Sequence, residues 1–103
     1  MRIFVNNERM WLVLAEIVAE TDVSLGSKIG FMNITTWAGS REAARSKIER
    51  YLNSFGWNLV LFDKADIVDE EAAYGDEVAG MIDRTRNNPN SIILGTFHTY
   101  KTN

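Results

Sequence analysis

The sequence predicts an α+β fold in which one mainly antiparallel sheet carries two helices packed on one face. Its length of 103 residues favours a single domain, residues 1–103, with one core. Segments rich in β-branched and aromatic residues recur along the chain, and two other segments repeat apolar residues at helical spacing. In chain order they give β-β-α-β-α-β, which predicts a layer of sheet against a layer of helices.

The first two predicted strands are residues 11–22 and 29–38. The first, WLVLAEIVAETD, is apolar on both alternating faces over its first half, so we expect that end to be covered on both sides. The second, IGFMNITTWA, is rich in β-branched and aromatic residues. Turn residues at 23–28, including Gly26, predict a hairpin between them. The opening MRIFVNN either adds a short strand or frays.

Residues 39–57 form the strongest predicted helix. Ser40 can cap the first free N–H groups, and Gly56 can end the helix because glycine readily takes the left-handed conformation. An apolar stripe at i, i+4, i+7, i+8 and i+11 predicts the face that meets the core. Its members are Ala44, Ile48, Tyr51, Leu52 and Phe55.

The second half of the chain repeats the strand–helix–strand pattern. Residues 58–69 are apolar on both faces near Leu59–Phe62, which favours a central strand. Residues 76–88 predict a second helix capped by Asp76 and stopped by NNPN. Residues 91–102 predict the last strand, in which Gly95 indicates a bulge or a close backbone approach.

This arrangement resembles a variant of the ferredoxin-like plait, whose usual order is β-α-β-β-α-β; the element order here departs from it. The resemblance implies a sheet with one open face, which such plaits use for dimerisation or for binding a ligand or a protein. The chain is also similar in size and aromatic content to the small dimeric plaits of the antibiotic-biosynthesis monooxygenase type. Those proteins carry out cofactor-light chemistry between sheet and helices.

Strand alternation predicts a mixed aromatic and polar surface on the open face. Side chains from the second and last strands would share it if the corresponding faces coincide, and such a surface has the composition of an interface centre. The residues concerned are Asn33, Thr35, Trp37, His98 and Tyr100. We therefore expect Asn33, Trp37 and Tyr100 to contribute to binding.

His98 is the only histidine and the one candidate for general-base chemistry. A general base needs an orienting partner and a nearby target. Tyr100 lies two residues on, but local sequence marks no serine or aspartate as a triad partner. A structural histidine is the expectation, so no catalytic residue is assigned; His98 and Tyr100 stay the candidates if the chain is an enzyme.

The acidic segment, residues 63–77, is the strongest compositional signal. DKADIVDEEAAYGDE holds seven of the fourteen acidic residues, offset there only by Lys64. It lacks the EF-hand pattern, so a calcium site is not predicted. It indicates either a solvated, acidic entry to the second helix or a docking surface for a basic protein partner. The predicted binding residues are Asp66, Asp69, Glu70, Glu71, Asp76 and Glu77.

Composition limits the remaining classes of function. A net charge of −3 argues against a nucleic-acid partner. The absence of cysteine and the single histidine argue against thiolate chemistry and a structural zinc site, and no cofactor is expected. The longest early apolar run is interrupted by Glu16, so we expect no membrane span, and a cytoplasmic location is the default.

These observations predict a small cytoplasmic interaction protein that acts by stoichiometric binding and is not an enzyme. An inhibitor or immunity-type protein that blocks a basic toxin or nuclease fits this description. One alternative is a small dimeric ligand-binding protein or cofactor-light enzyme with an apolar pocket near His98. Another is a structural homodimer formed through the open sheet face.

Overall fold

The computed structural model describes residues 8–20 and 27–99, which form one four-stranded sheet and two helices. The elements are β1 (Arg9–Glu20), β2 (Ser27–Ala38), α1 (Arg41–Asn53), β3 (Trp57–Ile67), α2 (Asp76–Arg86) and β4 (Ile92–Thr99). The predicted α+β class and the β-β-α-β-α-β order are both confirmed. The expectations for MRIFVNN, for Gly26 and for Tyr100 lie outside the described residues.

The strands are ordered β3-β1-β2-β4, and every neighbouring pair is antiparallel. The predicted hairpin of β1 and β2 is confirmed and forms the centre of the sheet. This order is not that of a ferredoxin-like plait. The prediction of a central β3 is wrong, because β3 lies at an edge and leaves Val60 and Leu61 about half exposed, at 49% and 47%.

Helix α1 begins at the predicted cap, Ser40, but ends at Asn53, before the predicted end at Gly56. The Ser40 hydroxyl accepts the Ala43 N–H at 3.0 Å, and Gly56 has φ of 81° after the helix. Of the predicted stripe, Ala44, Ile48 and Leu52 are buried. Tyr51 and Phe55 are exposed instead. Phe55 lies beyond the helix, which ends at Asn53, and the two rings meet edge to face with centroids 4.9 Å apart.

The main core lies between α1 and one face of the sheet, which we call the α1 face. Side chains at alternate positions of β1 and β2 point to this face and pack with the buried stripe of α1. The strand residues of this core are Val13, Ala15, Ile17, Met32, Ile34 and Ala38, with Phe62 from β3. Burial of these apolar side chains supplies the main driving force for folding.

Helix α2 lies on the opposite face, called here the α2 face. Thr35 points away from Ile34 by strand alternation, and its Oγ1 is 2.6 Å from Oγ1 of Thr85 on α2. The Trp37 indole also donates to the Thr85 carbonyl, at 2.8 Å. The helices therefore cover the two faces separately, rather than one face as predicted. Helix α1, which connects β2 to β3, already covers the α1 face. Helix α2, which connects β3 to β4, therefore packs on the opposite face.

The start of α2 differs from the sequence prediction. Asp76 is the first helical residue, and the cap position is Gly75, which makes no side-chain cap hydrogen bond. Asp76 and Glu77 instead place two carboxylates in the first turn, where negative charge interacts favourably with the helix dipole.

Strand β4 contains the bulge that Gly95 predicted. Ile34 pairs with Leu94 and Met32 pairs with Phe97, so two residues of β4 oppose one residue of β2. The extra residue shifts the alternation: Phe97 joins the α1 face, and His98 pairs with Phe31 on the α2 face.

Replacing Thr85 by valine tests the contact that holds α2 on its face. The Thr85 hydroxyl donates to Met81 O at 2.8 Å, and its oxygen shares a 2.6 Å hydrogen bond with Thr35 Oγ1. Thr85→Val removes that buried partner of Thr35, and we expect the free energy of unfolding to fall by about 1–3 kcal/mol in urea denaturation. Thr85→Ser keeps the hydroxyl and should lower the free energy of unfolding less. An equal decrease for both variants would contradict this role.

Two glycine substitutions should have opposite effects on stability. A Cβ at Gly30 would lie 2.7 Å from the Thr99 Cα, so Gly30→Ala pushes β4 off β2. We expect it to lower the free energy of unfolding by about 1–3 kcal/mol. Gly80→Ala in α2 meets no atom within 4 Å and should raise it by up to about 1 kcal/mol. Thermal and urea unfolding of both variants check the pair.

Candidate functional site

The acidic segment runs from the end of β3, through the loop at residues 68–75, to the first turn of α2. All seven of its acidic side chains are exposed. This is the first property required of a docking surface, because exposed charges act on an approaching partner. It does not by itself distinguish a docking surface from a solvated one.

Hydrogen bonds give the loop a defined shape. The backbone N–H of Asp69 donates to the Tyr74 hydroxyl at 2.9 Å, and the Asp69 carboxylate accepts the Glu71 N–H at 2.9 Å. The Asp69 carbonyl also accepts the Ala72 N–H at 3.1 Å. Asp69, predicted as a binding residue, therefore also fixes the loop that carries its neighbours.

A cavity of about 170 Å³ separates this loop from α2, and we call it the loop cavity. Its walls are apolar and polar in equal measure, and they include carboxylates. The loop contributes Val68, Asp69, Glu70, Ala72 and Tyr74; α2 contributes Ala79, Ile82, Asp83 and Arg86. Two of the predicted binding residues, Asp69 and Glu70, thus line a concave surface.

Arg86 bridges the two sides of the loop cavity. Its Nη2 lies 2.6 Å from Glu70 Oε2, and its Nη1 lies 2.9 Å from Asp83 Oδ1. All three side chains are substantially exposed, so these ion pairs add little to stability. They show that the carboxylates of Glu70 and Asp83 are spaced to hold one guanidinium.

Glu77, another predicted binding residue, accepts hydrogen bonds from β4. Its carboxylate accepts both the backbone N–H of Thr96, at 3.1 Å, and the Thr96 hydroxyl, at 2.5 Å. These bonds, the hydroxyl first, hold the pKa of Glu77 below its ordinary value, with smaller contributions from the charges of His98 and Arg84. Glu77 thereby joins the start of α2 to the bulge of β4.

The other predicted residues are distributed around the molecule. Asp66, Glu71 and Asp76 are exposed along the acidic segment. Asn33 and Trp37 are half-buried on the α2 face, where Trp37 donates to the Thr85 carbonyl of α2. Their part in binding stays a prediction, although α2 covers the sheet where Trp37 lies.

His98 is exposed, faces the same side of the sheet as Phe31, and does not line the loop cavity. The apolar pocket near His98, and the ligand-binding or enzyme function that it would support, stay a prediction. Tyr100, its predicted companion, lies outside the described residues.

A row of aromatic rings on the α1 face was missed by the sequence reasoning. Tyr51, Phe55 and Trp57 meet edge to face, and Trp57 stacks on Phe97 with centroids 5.5 Å apart. The closeness of Phe55 and Trp57 in sequence was a visible signal. Phe97 was not predictable as a member, because only the bulge in β4 turns it to this face.

No family model matches the chain, and comparisons with curated proteins and with solved structures give no match either. In residues 8–20 and 27–99, no group of three or more histidine, aspartate or glutamate side chains is arranged to hold a metal ion. None of the described helices combines the length and the apolar character needed to cross a membrane.

The lowered pKa of Glu77 predicts a defined loss of stability in acid. Because the folded pKa lies below the ordinary value of 4.5, the stabilisation is present above that pH and is lost as pH falls through the folded pKa. Urea denaturation from neutral to acidic pH should therefore show a steeper loss for wild type than for Glu77→Gln. Thr96→Val should give an intermediate slope, and an unchanged slope in Glu77→Gln would contradict the assignment.

Proposed function

We propose that the protein is a binding module that acts stoichiometrically on a basic protein partner, through the acidic segment and the loop cavity. The observation that carries the proposal is an amphipathic cavity that is lined in part by the exposed acidic segment. An inhibitor or immunity-type protein works in this way, by occupying a basic surface rather than by turning over a substrate.

Charge supplies the first step of recognition. Seven exposed carboxylates lie within residues 63–77, and Lys64 is the only basic residue of that segment. Such a field accelerates encounter with a basic surface and suppresses encounter with an acidic one. The same field makes binding sensitive to salt, because exposed charges are screened over roughly 10 Å at 0.1 M ionic strength.

The loop cavity supplies an anchor point within that field. Its volume of about 170 Å³ is below the roughly 300–1,000 Å³ of most small-molecule pockets. A single side chain of a partner is the better match. An arginine or lysine can lay its aliphatic stem against Ala79 and Ile82 and direct its charge to Asp69 or Glu70.

Arg86 supports this assignment from within the chain. It already places a guanidinium between Glu70 and Asp83. Because those ion pairs are exposed and weak, a partner's cation can share or replace them at small cost. The site thus holds carboxylates at a spacing that suits a guanidinium, and Arg86 competes only weakly with a partner's cation for them.

Neutralising two exposed acids should weaken binding of a basic probe. The variant Asp66→Asn with Glu71→Gln is compared with Glu42→Gln plus Glu49→Gln on α1, which changes the net charge equally. The probe is a fluorescent arginine-rich peptide, and its citrulline counterpart is the uncharged reference. Anisotropy titrations at low salt should show affinity about twofold to thirtyfold lower for the first variant, with little change for the second.

A further variant distinguishes the contribution of the loop cavity to binding from that of the electrostatic field of the acidic segment. Ala79→Leu fills the loop cavity without changing charge, and we expect it to weaken binding while the salt dependence persists. Equal effects of the two double variants would show that only net charge matters. Binding that ignores salt, or that is the same for both peptides, would also overturn the proposed function.

A further inference from the structure

We propose that the edge of β3 that pairs with no other described strand pairs with the same edge of a second copy, to give a two-fold dimer in which the described strands form one eight-stranded sheet. This inference goes beyond the proposed function and does not rest on it, because the loop cavity exists within one chain. The pairing segment is residues 63–67, and the two-fold axis passes between the Ala65 residues of the two copies.

The hydrogen bonding of β3 shows which backbone groups face outwards. The Val68 N–H donates to Met10 O at 2.8 Å, so the backbone groups of Val68 point towards β1. Alternation along an antiparallel strand then directs the N–H and C=O of Ile67 and Ala65 to the free edge. Edge groups of this kind are a template for another strand.

Lys64 and Asp66 of this segment are complementary in charge across the two-fold axis. An antiparallel pairing centred on Ala65 sets Lys64 opposite Asp66 of the other copy, and the two-fold repeats that pair. Both residues lie on the α2 face, since they pair with Leu14 and Leu12 of β1. These are non-hydrogen-bonded positions, where opposing side chains come closest, about 4.5 Å between Cα atoms.

The geometry around the axis permits the approach. Ala65 is small, so two copies meet there without a large side chain between them. Residues 64–67 pair regularly with β1, whereas register shifts interrupt β3 before Lys64. Ile67 is 46% exposed on the α1 side of the edge and would lie opposite Asp63 of the other copy, which removes part of its surface from water.

The other edge of the sheet is less suited to pairing. In β4 the Thr96 N–H is already bonded to Glu77, and the bulge at Gly95 interrupts the strand. Bulges and occupied amides are devices that protect an edge from further strands. The short pairing segment of β3 predicts a reversible dimer rather than an obligate one.

Sedimentation equilibrium over a range of concentrations up to millimolar tests the dimer. Wild type should associate reversibly to dimers. Lys64→Asp replaces two attractive cross-strand pairs by two repulsive ones and should weaken association at least about fivefold. The double variant Lys64→Asp with Asp66→Lys restores opposite charges across the axis and should recover it. Arg45→Asp on α1 carries the same charge change as Lys64→Asp and should leave association as in wild type.

Ala65→Pro gives an independent readout that does not depend on charge. It removes an outward N–H, which an edge strand tolerates, and it should abolish the dimer while circular dichroism retains the folded spectrum. A monomeric wild type at every concentration would overturn the proposal. So would a dimer that withstands both Lys64→Asp and Ala65→Pro, or a double charge exchange that fails to recover association. Ala79→Leu, which fills the loop cavity from α2 and leaves β3 unchanged, should leave association as in wild type, so the two proposals fail separately.

Discussion

Burial of β2 on both faces is the constraint on which the rest of the structure depends. Thr35 and Thr36 are consecutive and both fully buried, which a strand permits only when each face is covered. Their hydroxyls cannot remain without partners there. Thr36 donates to Ser91 O at 3.0 Å, and Thr35 meets Thr85. Within the described part of the chain, every buried side-chain nitrogen and oxygen has a partner.

This constraint also sets the path of the chain and the position of the acidic segment. With α1 on one face and α2 on the other, the chain leaves β3 at one edge and must pass round to the α2 face before it reaches β4 at the other edge. The loop at 68–75 makes that passage in solvent, where acidic side chains cost nothing to expose. The loop cavity forms where this loop meets the flank of α2.

The features that the sequence predicted well are those determined by neighbouring residues. Ser40 caps α1, the turn at Gly56 has positive φ, and Gly95 marks a bulge; each depends on local backbone geometry. Charge clustering likewise identified the acidic segment. Three other features depend instead on contacts between distant segments of the chain. They are the face on which α2 packs, the edge position of β3 and the loop cavity. Glu77 illustrates the limit: sequence assigned it to binding, yet its carboxylate is held by Thr96.

The contrast between the β3 and β4 edges of the sheet explains why this chain would associate into a closed dimer rather than an open-ended array. A sheet with two equally available edges adds copies without end, whereas one available edge allows a single two-fold pairing. Here Glu77 occupies the Thr96 N–H at the β4 edge, and that edge is also bulged. At the β3 edge, the register shifts restrict regular geometry to a few residues around Ala65. The contact that anchors α2 to β4 therefore has a second consequence: it leaves β3 as the edge through which a second copy can extend the sheet.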